Sequence, residues 1–302
     1  MNRFRLTDLL VAVGCAAMIL GVTVVARQNA QSAQDVAACA SHLKQLHAAI
    51  NVYKTDTNAF PRTVYVPDAP IAAYTGAAAS SPFAADGPAP NDVTAAVFLL
   101  VYRYQFPADM FNCPAALRNG LAEKDDFDPK RLANRSNFKA RVNYNYSVAN
   151  MYPSSAAVAA GYDLTRASPD FAFASDTNPG HEAASTATTR MTVKEIRVAN
   201  SPNHRRDGQN VLFADGSVKF FGSPFVRDAA DNIFASSGVF PAPADASDAV
   251  LLPVWADGPD LTPYAVKLRR WVFSVAMIVS TVMIVWIVIR GTRRAKRERA
   301  QA

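Results

Sequence analysis

Three cysteines and four histidines in 302 residues leave little material for a thiol- or imidazole-rich site. The familiar catalytic signatures are missing as well. There is no glycine-rich phosphate loop, no Gly-x-Ser-x-Gly elbow, no His-Glu-x-x-His pair and no EF-hand spacing. The missing patterns argue against a P-loop nucleotide enzyme, an α/β-hydrolase, a zincin and an EF-hand calcium sensor. His42 and His47 are five residues apart, so they do not share a helical face and make no helical metal pair. Charge is also scarce where a nucleic-acid binder would need it. The net charge of +6 is carried by the two ends: Arg290, Arg293, Arg294, Lys296, Arg297 and Arg299, less Glu298, and then Arg3 and Arg5, less Asp8. The long segment between them is neutral, so the high pI speaks for membrane topology and against nucleic acid as a partner.

What the chain does have is two uncharged apolar blocks. Leu9 to Val25 and Trp271 to Ile289 each approach the roughly 20 helical residues that cross a hydrocarbon core. The first has an alternative reading as a cleaved signal peptide, but no clear small-x-small site follows and the helical pattern continues past Arg27. The second has an alternative as a buried core helix, opposed by the basic residues that follow at once. Lys267, Arg269 and Arg270 precede the second block. Six basic residues after it against three before it favour a cytoplasmic C-terminus. The expected topology is two-pass in a bacterial cytoplasmic membrane, with residues 1–8 and the tail 290–302 cytoplasmic, spans at 9–26 and 271–289, and the lipid bilayer as the first partner.

Beyond Arg27 the residues Val36, Cys39/Ala40, Leu43, Leu46/His47, Ile50 and Tyr53 recur at three- and four-residue spacing. The pattern predicts a helix of about 45 residues, roughly 65 Å long, running from the membrane to a stop near Asn58 before Phe60-Pro61. Its external part is 27–58 and the remaining external domain 59–264. Residues 62 to 90, rich in Ala, Pro, Ser and Gly, read as an exposed, partly disordered excursion. Asn91-Asp92 then caps a helix from Val93 to Tyr104. Val142 to Ser147 and Phe171 to Asp176 read as strands.

The last strands come from SPNHRRDGQNVLFADGSVKFF, Ser201 to Phe221. Asn210–Ala214 and Ser217–Phe221 flank Asp215-Gly216, the pair a two-residue type I′ turn prefers. That register sets Phe213 opposite Val218 and Val211 opposite Phe220, with one face buried and the other mostly wet. This stretch resembles the terminal motif of the bacterial prepilin-type H-X9-DG proteins, a pseudopilin-like family. Ten residues rather than nine separate His204 from Asp215, the extra one lying in the RRDG loop. The segments CASHLKQLHAAINVYKTDTNAFP, NDVTAAVFLLVYRYQFPADMFNCPA, NYNYSVANMYP, FAFASDTNPG and DAVLLP extend the resemblance over roughly 30 to 255. RFRLTDLLVAV stands where prepilins carry their leader, but Arg3 replaces the glycine before Phe4, and Asp8 replaces the usual glutamate.

The resemblance implies an α+β fold: a long N-terminal helix packed on a small antiparallel sheet, here with an added C-terminal membrane helix. It implies a structural, assembly or secretion-associated role with other pseudopilin-like or secretion-system proteins as partners, and no enzymatic activity. A membrane-tethered binding or sensor module is the second expectation, and a hydrolase using His204 and nearby aspartates the third. No cofactor, catalytic residue or metal is expected. Cys39 and Cys113, in an oxidising compartment, are either a disulfide or two free buried thiols. His204 is either a base or metal ligand with Asp176, Asp207 or Asp215, or a tie between loop and hairpin, the latter favoured for want of a nucleophile or a second spaced histidine. Asn210, Asp215 and Gly216 complete the motif, the last two explained by the turn.

Overall fold

The computed structural model describes residues 6–127, 134–227 and 231–253, together with 286 and 290, and side chains from residue 14 onward, His181 aside. The chain is α+β. Helix α1, Leu6–Thr57, runs for 52 residues. It stops where Asn58 takes φ 59°, a left-handed value that ends the helix just before Phe60-Pro61. Along residues 35 to 53 its buried positions are Asp35, Cys39, Leu43, Leu46, Ala49, Ile50 and Tyr53: the expected Cys39, Leu43, Leu46, Ile50 and Tyr53 are kept, Asp35 and Ala49 join them, and Val36, Ala40 and His47 are half-buried. The apolar residues Met18, Ile19, Leu20, Val22 and Val24 of the same helix are exposed.

Among the described residues no helix is long and apolar enough to cross a membrane. The side chains of 6–13, which open the first apolar block, lie outside the described residues, as does nearly all of the second block. The leader residues Arg3 and Phe4 and the basic tail beyond Arg290 lie outside them too, and so does the side chain of Asp8.

Helix α2, Val93–Tyr104, falls on its expected residues because Asp92 caps it, accepting from the Ala95 amide at 2.8 Å. Nine of its residues, Val93 to Val101, are buried. A short helix, α3, Pro114–Arg118, follows with Cys113 at its N-cap. The five-stranded antiparallel sheet is built from β1 (Tyr146–Ala149), β2 (Ala172–Asp176), β3 (Gln209–Phe213), β4 (Val218–Phe221) and, after a two-stranded ribbon of β5 (Phe225–Val226) and β6 (Asp231–Asn232), the returning β7 (Leu251–Leu252). Its order is β4-β3-β2-β1-β7.

Register decides which side chains meet α1. Tyr146 lies opposite Asp176, Val148 opposite Ala174, and Leu212 opposite Ala174 from the other side. With a side-chain period of two, Tyr146, Val148, Ala174, Asp176, Asn210 and Leu212 therefore share one face. Contacts identify it as the α1 face: Cys39 reaches Tyr146 and Asp176, and the Asn210 amide reaches the Val36 carbonyl at 3.2 Å. Further along, a bulge between Ala172 and Ala174 breaks the alternation, and His47 and Phe60 both pack on Phe173 there.

The hairpin differs from the expected one. Leu212 pairs with Val218 and Val211 with Lys219, one residue out of the anticipated register. The loop has three residues: the Gly216 amide closes a turn on the Phe213 carbonyl at 2.9 Å, and the Phe213 amide bonds the Ser217 carbonyl at 2.8 Å. Only Gly216 takes positive φ, 83°, so this is a turn followed by a left-handed glycine rather than type I′, which needs two such residues. Nor is one face wet. All of β3 is buried, because a central strand is covered on both sides, whereas the edge strand β4 is exposed at Lys219 and Phe220. Strand β1 starts at Tyr146, later than expected, since Arg141–Asn143 coils as a 3-10 turn. The excursion after Pro61 is irregular as foreseen but pinned: Asn91 holds Val66 and Ala69 through its side chain, and Tyr65 and Ile71 pack on the core.

Candidate functional site

Four segments far apart in sequence converge where α1 crosses the end of β2. Cys39 comes from the buried stripe of α1, and Cys113 from the N-cap of α3, a position set by Pro114 at the first helical turn. Asp176 is the last residue of β2. His204 lies in the loop that enters β3, where Arg205 and Arg206 both take left-handed φ, 58° and 61°. Gly208 then lets that loop run against β4, since a Cβ there would collide with the Phe221 carbonyl oxygen.

One ligating atom from each of the four side chains lies within 4.8 Å of the other three. Cys39 Sγ is 3.0 Å from Asp176 Oδ1, His204 Nε2 is 3.1 Å from Asp176 Oδ2, and Cys113 Sγ is 3.6 Å from His204 Nε2. All four residues are buried, His204 at 5% exposure and the others at 0%. Asp176 is further held by the Asn210 backbone amide at 2.7 Å and the Asn203 side-chain amide at 3.1 Å. The Asn210 side-chain amide sits 3.4 Å from His204 Nε2, and the Tyr146 hydroxyl 3.4 Å from Cys39 Sγ.

Burial sets the electrostatics. It disfavours a charged Asp176 and a charged His204, but their mutual attraction outweighs it, holding the carboxyl below its ordinary range and pushing the imidazole up to about 11. Burial raises the Cys39 thiol well above its usual value. It acts the same way on Cys113, but hydrogen bonds with Cys39 and His204 reverse the outcome and lower it, so Cys113 is the more acidic of the two thiols. Chemically this is a water-poor pocket of two soft sulfur donors, one imidazole and one carboxylate.

Of the partners weighed for His204, the structure supplies Asp176. Asp207 is exposed and pairs with Arg197 at 2.7 Å, while Asp215 is exposed in the hairpin turn, accepting from the Ser217 amide at 2.8 Å. Gly216 carries the left-handed turn beneath His47, whose Nδ1 a Cβ would approach at 3.2 Å. His42 is not among the four: its Nδ1 lies 3.0 Å from the Asn112 carbonyl and 3.5 Å from the Tyr146 hydroxyl. Asn210 does more than mark a motif, because it ties α1, Asp176 and His204 together. Cys39 and Cys113 are free thiols here, as is Cys15. The sequence singled out all four residues but not their convergence; it marked Tyr146 within the strand run Val142 to Ser147 and offered no signal for Asn203. Compared with protein-family models, curated proteins and solved structures, the chain matches none.

Proposed function

We propose that the protein is a membrane-anchored, pilin-like envelope component with a structural role in assembly or secretion. The observation that carries this reading is the two-part character of α1. Residues Met18 to Val24 offer exposed apolar side chains, which water penalises at roughly 25 cal/mol per Å² and a bilayer does not. The residues from Cys39 to Tyr53 bury theirs against an antiparallel sheet. A helix with one half suited to lipid and the other to a protein core is the working plan of a pilin subunit, and the Ser201–Phe221 hairpin agrees with it. The apolar block 271–289 and the basic tail suit a second anchor. Burial of the His204–Asp176 pair supports a structural over a hydrolytic use of that site, since a general base must come within about 3 Å of the group it deprotonates, directly or through one water.

Expression of the full chain in a bacterium, followed by alkaline-carbonate washing of membranes and protease treatment of intact spheroplasts, tests the reading. The expected result is a chain retained in the washed membranes whose domain is cleaved only from the outer face. A chain released by carbonate, or one protected from external protease, overturns it.

A further inference from the structure

We infer that Cys39, Cys113, Asp176 and His204 form a structural Zn²⁺ site that clamps α1 to the sheet. The donor geometry suits such an ion. A tetrahedral ion with Zn–S near 2.3 Å, Zn–N near 2.0–2.1 Å and Zn–O near 2.0–2.2 Å requires neighbouring donor atoms about 3.3–3.8 Å apart. Here Cys39 Sγ lies 3.0 Å from Asp176 Oδ1, His204 Nε2 lies 3.1 Å from the other oxygen, Oδ2, Cys113 Sγ lies 3.6 Å from His204 Nε2, and one ligating atom from each residue is within 4.8 Å of the other three. The four donors are gathered before any ion enters, and closing them to tetrahedral spacing takes shifts of up to about 1 Å.

The hydrogen bonding points the same way. The two Asn210 side-chain N–H groups are taken by the Val36 carbonyl at 3.2 Å and Asp176 Oδ2 at 3.3 Å, which leaves His204 Nε2 to the carboxylate and the Cys113 sulfur. One sulfur lies against the carboxylate and the other against the imidazole, so all four side chains turn their ligating atoms toward one another.

The donor set selects the metal. Two thiolates and an imidazole in a closed, four-coordinate site favour a borderline-soft ion such as Zn²⁺, and one carboxylate is too few for Ca²⁺ or Mg²⁺. All four positions come from protein and all are buried, which leaves no open coordination site and points to a structural ion. The surroundings suit it as well. Asn210 and Asn203 hold Asp176 in place, and the Tyr146 hydroxyl is in reach of Cys39, supplying donors to the excess negative charge of two thiolates and a carboxylate around one dication. The ion would join α1, the α3 N-terminus, β2 and the β3 entry loop, four segments spread over 165 residues by number from Cys39 to His204.

The inference does not depend on membrane anchoring, and its test reads metal wherever the chain resides. The full-length chain, purified in detergent without chelator, should contain about one Zn²⁺ per chain. Its Cys39 and Cys113 should resist alkylation until a chelator is added, and Co²⁺ exchange should give the d–d bands and thiolate charge transfer of a tetrahedral sulfur site. Cys113→Ser should weaken Zn²⁺ retention at least tenfold, and the native-chain Co²⁺ spectrum serves if that variant does not fold. A Cys39–Cys113 disulfide in the isolated chain, or a reduced chain that fails to take up Zn²⁺, would overturn the proposal.

Discussion

Asp231 is 6% exposed in the short ribbon beside β7, and burial pushes its carboxyl up to about 7. The Ala249 amide and Arg227 act to lower it, while the neighbouring charges of Asp248 and Asp245 raise it further. A carboxyl with a raised folded pKa contributes stability that is fully present below its unfolded value of 3.8 and is lost as pH climbs through 7. At 1.36 kcal/mol per unit the loss is on the order of 4 kcal/mol. Asp231→Asn keeps an acceptor for Ala249 but cannot ionise. Its melting midpoint should therefore match the native chain near pH 4 and exceed it increasingly from pH 5 to 8, and a difference independent of pH would refute this account. At this scale the sequence was informative about identity and silent about company. Cys39, Cys113, His204 and Asp176 each stood out by type, but no spacing rule links positions that are 74, 63 and 28 residues apart by number.

Elements whose boundaries are set by local chemistry were legible. Asp92 is the clearest: besides capping α2 it accepts from the Thr75 amide at 2.7 Å and hydroxyl at 2.6 Å, and from the Thr94 hydroxyl at 2.9 Å. Losing a cap costs about 1 kcal/mol, and orphaning buried donors adds about 1–3 kcal/mol. Asp92→Ala should accordingly cost roughly 2–4 kcal/mol in denaturant unfolding; a change below about 1 kcal/mol would mean the network is replaceable. The hairpin register was not legible. Asp-Gly serves both a two-residue type I′ loop and a three-residue loop ending in a left-handed glycine, and the choice moves every pairing by one. What selects the observed loop lies elsewhere in the fold. The Ala214 amide bonds the Phe171 carbonyl at 2.9 Å and the Asp215 amide the Pro169 carbonyl at 3.2 Å, which holds the loop against the start of β2. The loop from 62 to 90 similarly owes its order to Asn91 and to aromatic contacts that composition does not encode.

For the whole molecule, α1 is the organising element, and its buried stripe from Asp35 to Tyr53 belongs to the same core as α2 and the sheet. Leu46 is fully buried at the middle of that stripe. Leu46→Ala should cost about 2–5 kcal/mol, measured as a shift in unfolding midpoint without change in helix content at low temperature. A cost under 1 kcal/mol would show that α1 is not held by this packing. The same core explains why a chain with only four histidines can bury one beside an aspartate and two thiols, since close packing of α1 on β2 excludes the water that would otherwise solvate them.

The sequence by itself determined the amphipathic run of α1, the cap and extent of α2, and the approximate strands around Tyr146, Phe173 and Val211. Each depends on hydrophobic period, capping or turn chemistry within a dozen or so residues. Only the tertiary structure decided the strand order, the hairpin register and the meeting of Cys39, Cys113, Asp176 and His204. Those follow from which face of the sheet α1 covers, a choice made by burial over the entire chain.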